Sequence, residues 1–149
     1  MTIAIRLAAS LALLLAASSA PGQDAPKLTW EEMVPAKTSS DPLAVTSSAP
    51  VLALDGRTVQ LPGFIVPLES DEGGLISEFL LVPYFGACIH VPPPPPNQLV
   101  YVTLEEAFNL VSLQQPYWIE GTLQVEEYSS EVADSHYTMR AERISKYNY

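Results

Sequence analysis

Apolar and polar positions alternate most cleanly over residues 117–128. Tyr117, Ile119, Gly121, Leu123 and Val125 fall on one side, and Trp118, Glu120, Thr122, Gln124 and Glu126 on the other. Period two predicts a strand with one buried face. Tyr137, Met139 and Ala141 alternate in the same way with Thr138, Arg140 and Glu142, which predicts a last strand after a polar loop at 129–135. Residues 79–85 are apolar without a break, as in a strand buried on both faces, and residues 99–103 give another short strand. Further back, apolar runs at 51–54 and 58–61 flank Asp55-Gly56, a pair that predicts a two-residue hairpin turn. Pro62-Gly63 interrupts the second run, residues 64–68 resume it, and residues 70–74 form a polar turn. Thr103-Leu104-Glu105-Glu106 reads as the start of a helix to Leu113, with Ala107, Leu110 and Val111 as its apolar stripe.

The stretch 21–50 is loop-like and punctuated by prolines. Within it, Thr29-Trp30-Glu31-Glu32 reads as a capping box in which Thr29 bonds the backbone near Glu32. Pro35 ends that turn and leaves Trp30 and Met33 to cover the body of the fold. Five or six strands within about 100 residues, with no strand–helix–strand rhythm, predict a mainly β fold. The specific expectation is a small antiparallel β-barrel with OB-like Greek-key order, and the alternative is a small open β-sandwich.

The first twenty residues stand apart. One cation, Arg6, precedes an apolar run at 7–17, and Ser18, Ser19 and Ala20 follow. That order predicts a secretory signal peptide over 1–20, cut near 18–23, because the run is short for the roughly 20 residues of a membrane span. The alternative is an uncleaved anchor. The domain reading is therefore 1–20 signal peptide, 21–50 loop-like N-terminal segment and 51–149 one β-rich domain, periplasmic, with no transmembrane segment in the mature chain. Charge agrees with this class. The 149-residue chain has 7 basic and 17 acidic residues, net −10, which disfavours phosphate-rich partners such as nucleic acid. A single cysteine excludes an internal disulfide and any all-cysteine metal cage.

Residues 83–98 carry the candidate chemistry. Cys88 and His90 are two apart, so an extended backbone points both to one side. Gly86-Ala87 before them adds little bulk. Pro92, Pro93, Pro94, Pro95 and Pro96 then form a stiff rod of roughly 15 Å, and Asn97 and Gln98 tie it to the next strand. Three readings follow. Thiolate and imidazole suit Zn or Cu, with Cys88, His90 and His136 as ligands and Asp134, Glu69, Asp71 or Glu72 as completing groups. A neighbouring imidazole that lowers the thiol's pKa makes Cys88 a nucleophile or redox centre. In the third, Tyr84, Phe85, the proline rod, Asn97 and Gln98 form a docking surface. Against all three stands Cys88 as a small buried apolar residue beside a structural His90. No nucleophile elbow, phosphate loop, dinucleotide fingerprint or paired-histidine zinc helix occurs, so no catalytic residue is nominated.

Gly63-Phe64-Ile65-Val66-Pro67-Leu68, the stretch from Phe79 through Gly86-Ala87-Cys88-Ile89-His90-Val91-Pro92 to Pro95, and Asn97-Gln98 resemble bacterial exported proteins grouped as domain of unknown function 3299. Leu28-Thr29-Trp30 and Gly121-Thr122-Leu123 fit the same pattern, over roughly 28–147. The resemblance implies export to the periplasm and a small β-rich domain. It also implies a link to an ABC-transporter system with a lipoprotein-export-type permease, in some cases tied to zinc supply. His136 stands outside the motif. The functional expectation is thus an exported accessory protein that binds Zn or Cu through Cys-x-His and serves a transporter component. The alternative is a non-catalytic interaction module in which Cys88 is structural.

Overall fold

The computed structural model describes residues 24–36, 47–87 and 93–148. Five strands close into one barrel: β1 (Arg57–Pro67), β2 (Leu75–Val82), β3 (Val100–Asn109), β4 (Tyr117–Ser129) and β5 (Asp134–Lys146). Neighbours around the ring run β1-β2-β3-β5-β4 and back to β1. This is the Greek-key order expected of an OB-like barrel, and closure leaves few strand edges open. One pairing departs from the all-antiparallel expectation. β3 and β5 run parallel, from Val100 opposite Tyr137 to Leu104 opposite Ala141, because β4 intervenes in sequence and lies on β5's other side.

β1 is two strands in one. Residues 57–63 pair with β4 and residues 64–67 with β2, the change falling at Pro62-Gly63. The edge that the first half vacates is taken by the N-terminal arm, where Leu28 N–H donates to Gln60 C=O (2.8 Å) and Gln60 N–H donates to Pro26 C=O (2.9 Å). The arm then plugs the barrel with Leu28 and Met33, 4% and 0% exposed. Its one turn of 3-10 helix, Glu31–Met33, is capped the opposite way from the sequence reading. The Glu32 carboxylate accepts from Thr29 N–H (2.8 Å) and Thr29 Oγ1 (2.9 Å), and those two donors hold its pKa below the ordinary value.

The barrel has two apolar layers. Val59, Leu61, Ile65, Phe79, Leu81, Ile119, Leu123 and Tyr137 fill the interior. Leu80, Val82, Leu99, Ala87 and Ala133 form a second layer on the outside of β1 and β2, flanked by Phe64, Val66 and Tyr101. A strand between two such layers must be apolar at every position, which explains residues 79–82, all buried. The strand stops at Val82 rather than Phe85, because Pro83 has no N–H for the ladder.

Two further sequence expectations are corrected. Residues 51–54 are not a hairpin arm, since Leu52–Leu54 is a 3-10 turn. Asp55 has φ −59° and only Gly56 (φ 72°) is left-handed, so the turn lacks the two positive φ values of the hairpin type. Its role is to dock on β4, where Gly56 N–H donates to Leu123 C=O (2.8 Å) and the Asp55 carboxylate accepts from Val125 N–H (2.9 Å). The helix expected over 103–113 is strand to Asn109. Val100, Val102, Leu104, Phe108 and Leu110 keep period two. Exposed Glu106 breaks it, where β3 bulges opposite β2 and parts from β5.

Candidate functional site

Of the sequence-nominated metal ligands, Cys88 and His90 lie outside the described residues, as do Val91 and Pro92. His136 is on β5, its side chain 23% exposed and Nδ1 3.6 Å from the Glu127 carboxylate. Asp134 accepts a hydrogen bond from Ser129 Oγ. Asp71 is committed to its own turn, where it accepts from Gly73 N–H (2.9 Å) and Leu75 N–H (2.8 Å). Among the described residues no three His, Cys, Asp or Glu side chains converge as a metal-holding group.

The flanks of the motif are well defined. After Pro83, Tyr84 and Phe85 face outward, 47% and 51% exposed, and Gly86 (φ 82°) turns the chain so that Ala87 is fully buried in the outer layer. On the far side Pro93 and Pro95 are exposed while Pro94 is buried. Pro95 has φ −61° and ψ 153°, the extended geometry expected of a proline rod. Asn97 does not belong to the surface. It is 1% exposed, and its Nδ2 donates to Ser47 C=O (2.8 Å) and Ala49 C=O (3.0 Å). Gln98 Nε2 donates to Trp30 C=O (2.8 Å). The pair therefore anchors the motif to the N-terminal arm as well as leading into β3. Among the described residues, the exposed part of the predicted ridge is Tyr84, Phe85, Pro93 and Pro95.

Beside Tyr84 and Phe85 lies a cleft that no local motif announced. Trp30, Phe64, Tyr147, Pro62, Pro83 and Pro116 line about 200 Å3. Phe64 meets Phe85 at 6.0 Å between ring centres, and Trp30 Nε1 donates to Pro62 C=O (2.7 Å). These residues come from five separate places in the chain, so only barrel closure collects them. A second cluster was equally hidden. Tyr101 and Tyr128 stack at 3.7 Å, 3° from parallel, on the outer face near Glu78 and Glu69. Burial, then the hydrogen bond to Glu78, then the surrounding negative charge push the Tyr101 hydroxyl up to about 12. It is a proton holder at any ordinary pH, unsuited to general-base work.

The family model described as protein of unknown function (DUF3299) matches residues 18–146. A crystal structure of a DUF3299 family protein from Pseudomonas aeruginosa is similar to this chain, at 43% identity and a TM-score of 0.73, covering 86% of this chain and 99% of that one. No curated protein matches it.

Proposed function

The chain belongs to the DUF3299 family, and from that premise we propose that it is an exported, non-catalytic interaction module that holds an extended, proline-containing segment of a partner protein. The observation that carries this reading is the pair of adjacent aromatic side chains, Tyr84 and Phe85, each about half exposed, which follow Pro83 of an aromatic- and proline-lined cleft whose Phe64 ring meets Phe85. Exposed aromatics backed by a rigid surface are the usual anchors of protein interfaces. Flat aromatic and proline rings accept a polyproline segment, which has little conformational entropy to lose on docking. The net charge of −10 favours basic residues flanking that segment. Export rests on the residue pattern of 1–20, and the transporter link remains what the family resemblance implies.

Trp30 lines the cleft, so its emission reports occupancy. In a Trp118→Phe background, titration with a lysine-flanked octaproline peptide is expected to shift that emission. Tyr84→Ala with Phe85→Ala is expected to weaken binding at least tenfold, about 1.4 kcal/mol, with little change in melting temperature. Equal affinity of the double variant overturns the reading. The rival reading makes Cys88 and His90 ligands to Zn or Cu. It forecasts that Cys88→Ser removes stoichiometric metal from protein purified without chelator, while the alanine pair leaves metal content unchanged.

A further inference from the structure

The barrel is not sealed all the way round. β3 and β5 pair as far as Leu104 opposite Ala141 and no further, although β3 runs on to Asn109 and β5 to Lys146. Between residues 104–108 and 140–144 the two strands enclose a cavity of about 590 Å3. Among the described residues, the main-chain groups on their facing edges there have no strand partner.

The floor of this seam is apolar. Leu104, Phe108 and Ile144 pack on the interior core but are only partly buried. An adjoining cavity of about 170 Å3 is lined by Phe108, Ile144 and Tyr117. Tyr117 is 1% exposed, edge-on to Phe108 at 5.7 Å, and its hydroxyl has no hydrogen-bond partner among the described residues. The lips are acidic. Glu105, Glu106 and Glu142 are exposed there. Of the two arginines on the β5 wall, Arg143 is engaged by Asp24 and Glu120, which leaves Arg140 against those three carboxylates.

We infer that the β3–β5 seam is a strand-insertion site for a basic extended segment of another protein. β3 and β5 run in the same direction, so one inserted strand antiparallel to both satisfies both edges with the better hydrogen-bond geometry. Alternating side chains then send apolar groups down onto Leu104, Phe108 and Ile144 and lysines or arginines up to the glutamates. A second copy of this chain is disfavoured, because its own seam carries the same carboxylates and like charges oppose across a strand pair. None of the residues lining the 590 Å3 cavity lines the Trp30 cleft, so either site can fail without the other.

The test uses three dye-labelled octapeptides on the full mature chain: Val-Lys repeated four times, Val-Glu repeated four times, and the lysine peptide N-methylated at alternate residues. Anisotropy is expected to show the lysine peptide binding at least tenfold tighter than either of the others, and less tightly as salt is raised. Amide exchange is expected to slow within 105–109 and 142–146. Glu105→Lys with Glu142→Lys, both at exposed positions, is expected to reverse the preference between the lysine and glutamate peptides. Equal binding of the three peptides, or protection elsewhere than the seam, overturns the inference. So does seam protection that grows with protein concentration when no peptide is present, since that identifies a second copy as the occupant.

Discussion

Replacing Gly121 by alanine tests the barrel at a point where β5 backbone leaves β4 no room for a Cβ. A Cβ at this position would stand 2.2 Å from Arg140 O, 2.8 Å from Ala141 Cα and 2.9 Å from Arg140 C. All three are backbone atoms, so no side-chain rotation relieves the clash. Ordinary carbon–oxygen contact begins at about 3.3 Å, so the strands must part by about 1 Å. Ladder hydrogen bonds tolerate a spread of only about 0.5 Å, and the bonds nearest the site therefore break. Two such losses cost about 1–3 kcal/mol, and overpacking adds about 1–3 kcal/mol. The reduced freedom of the unfolded chain returns less than about 1 kcal/mol. The expected net loss is about 3 kcal/mol, a large part of the 5–15 kcal/mol typical of a domain. Urea unfolding followed by tryptophan emission should show the midpoint falling by about 1–2 M with an unchanged slope. Gly56→Ala is the control. Its Cβ would meet nothing within 4 Å, and only the left-handed backbone (φ 72°) is strained, for about 1–2 kcal/mol. A Gly121→Ala loss below that of Gly56→Ala would refute the close approach of β4 and β5.

Tyr137→Phe is expected to cost about 1–3 kcal/mol, read as a lowered melting temperature, because the Tyr137 hydroxyl donates to Met33 C=O (2.8 Å) and accepts from Val51 N–H (2.6 Å). Those bonds hold both the arm and the Leu52–Leu54 turn on the core. Burial works to raise the Glu120 pKa, but hydrogen bonds from Gln60 and Arg143 outweigh it and the folded value lies below the ordinary 4.5. Its contribution is therefore present above pH 4.5 and lost as pH falls through the folded value, so Glu120→Gln should flatten the acid limb of a stability–pH profile. Tyr101 is shifted the other way, from 10.0 to about 12, by burial first and then by Glu78. Its contribution is full below pH 10 and lost on the way to about 12. Glu78→Gln should lower the Tyr101 midpoint in an ultraviolet absorbance titration, with Tyr101→Phe identifying the band.

Much of the architecture could be read from residue patterns, and the misreadings have physical causes. β4 and β5 were legible because each has one wet face and one dry face, so period two is unbroken over Tyr117, Ile119, Leu123, Tyr137 and Met139. The second half of β2, Phe79–Val82, was legible as a doubly buried run, while its half-exposed start at Leu75–Glu78 was not. The C-terminal half of β3 was not, because Glu106 occupies an inward-parity position in a stretch that has left β5, and the remaining apolar spacing imitates a helix. Asp55-Gly56 misled for another reason. A positive φ at one central position suits several turn types, and tertiary contacts with Leu123 and Val125 select among them. At the candidate site the motif itself drew attention to Tyr84 and Phe85. The Trp30–Phe64–Tyr147 cleft and the Tyr101–Tyr128 stack had no sequence signal, since each joins residues tens of positions apart.

The outer apolar layer explains why the motif sits where it does. A closed barrel buries its interior unaided, yet here Leu80 and Val82 on the outside of β2 are also fully buried, so something must cover them. Ala87 and Leu99, from the two ends of the β2–β3 connection, supply part of that cover. This constrains both ends of the segment: Gly86 must turn inward at φ 82°, and Asn97 must be sequestered against residues 47–49. A connection pinned at both ends holds whatever it carries outward at low entropic cost. Among its described residues, Tyr84, Phe85, Pro93 and Pro95 face outward. Tyr84 and Phe85 add little to burial where they stand, about half exposed. The covering role accounts for the glycine, the alanine and the asparagine of the motif but not for the two aromatics, which is where the proposed docking of a partner segment enters.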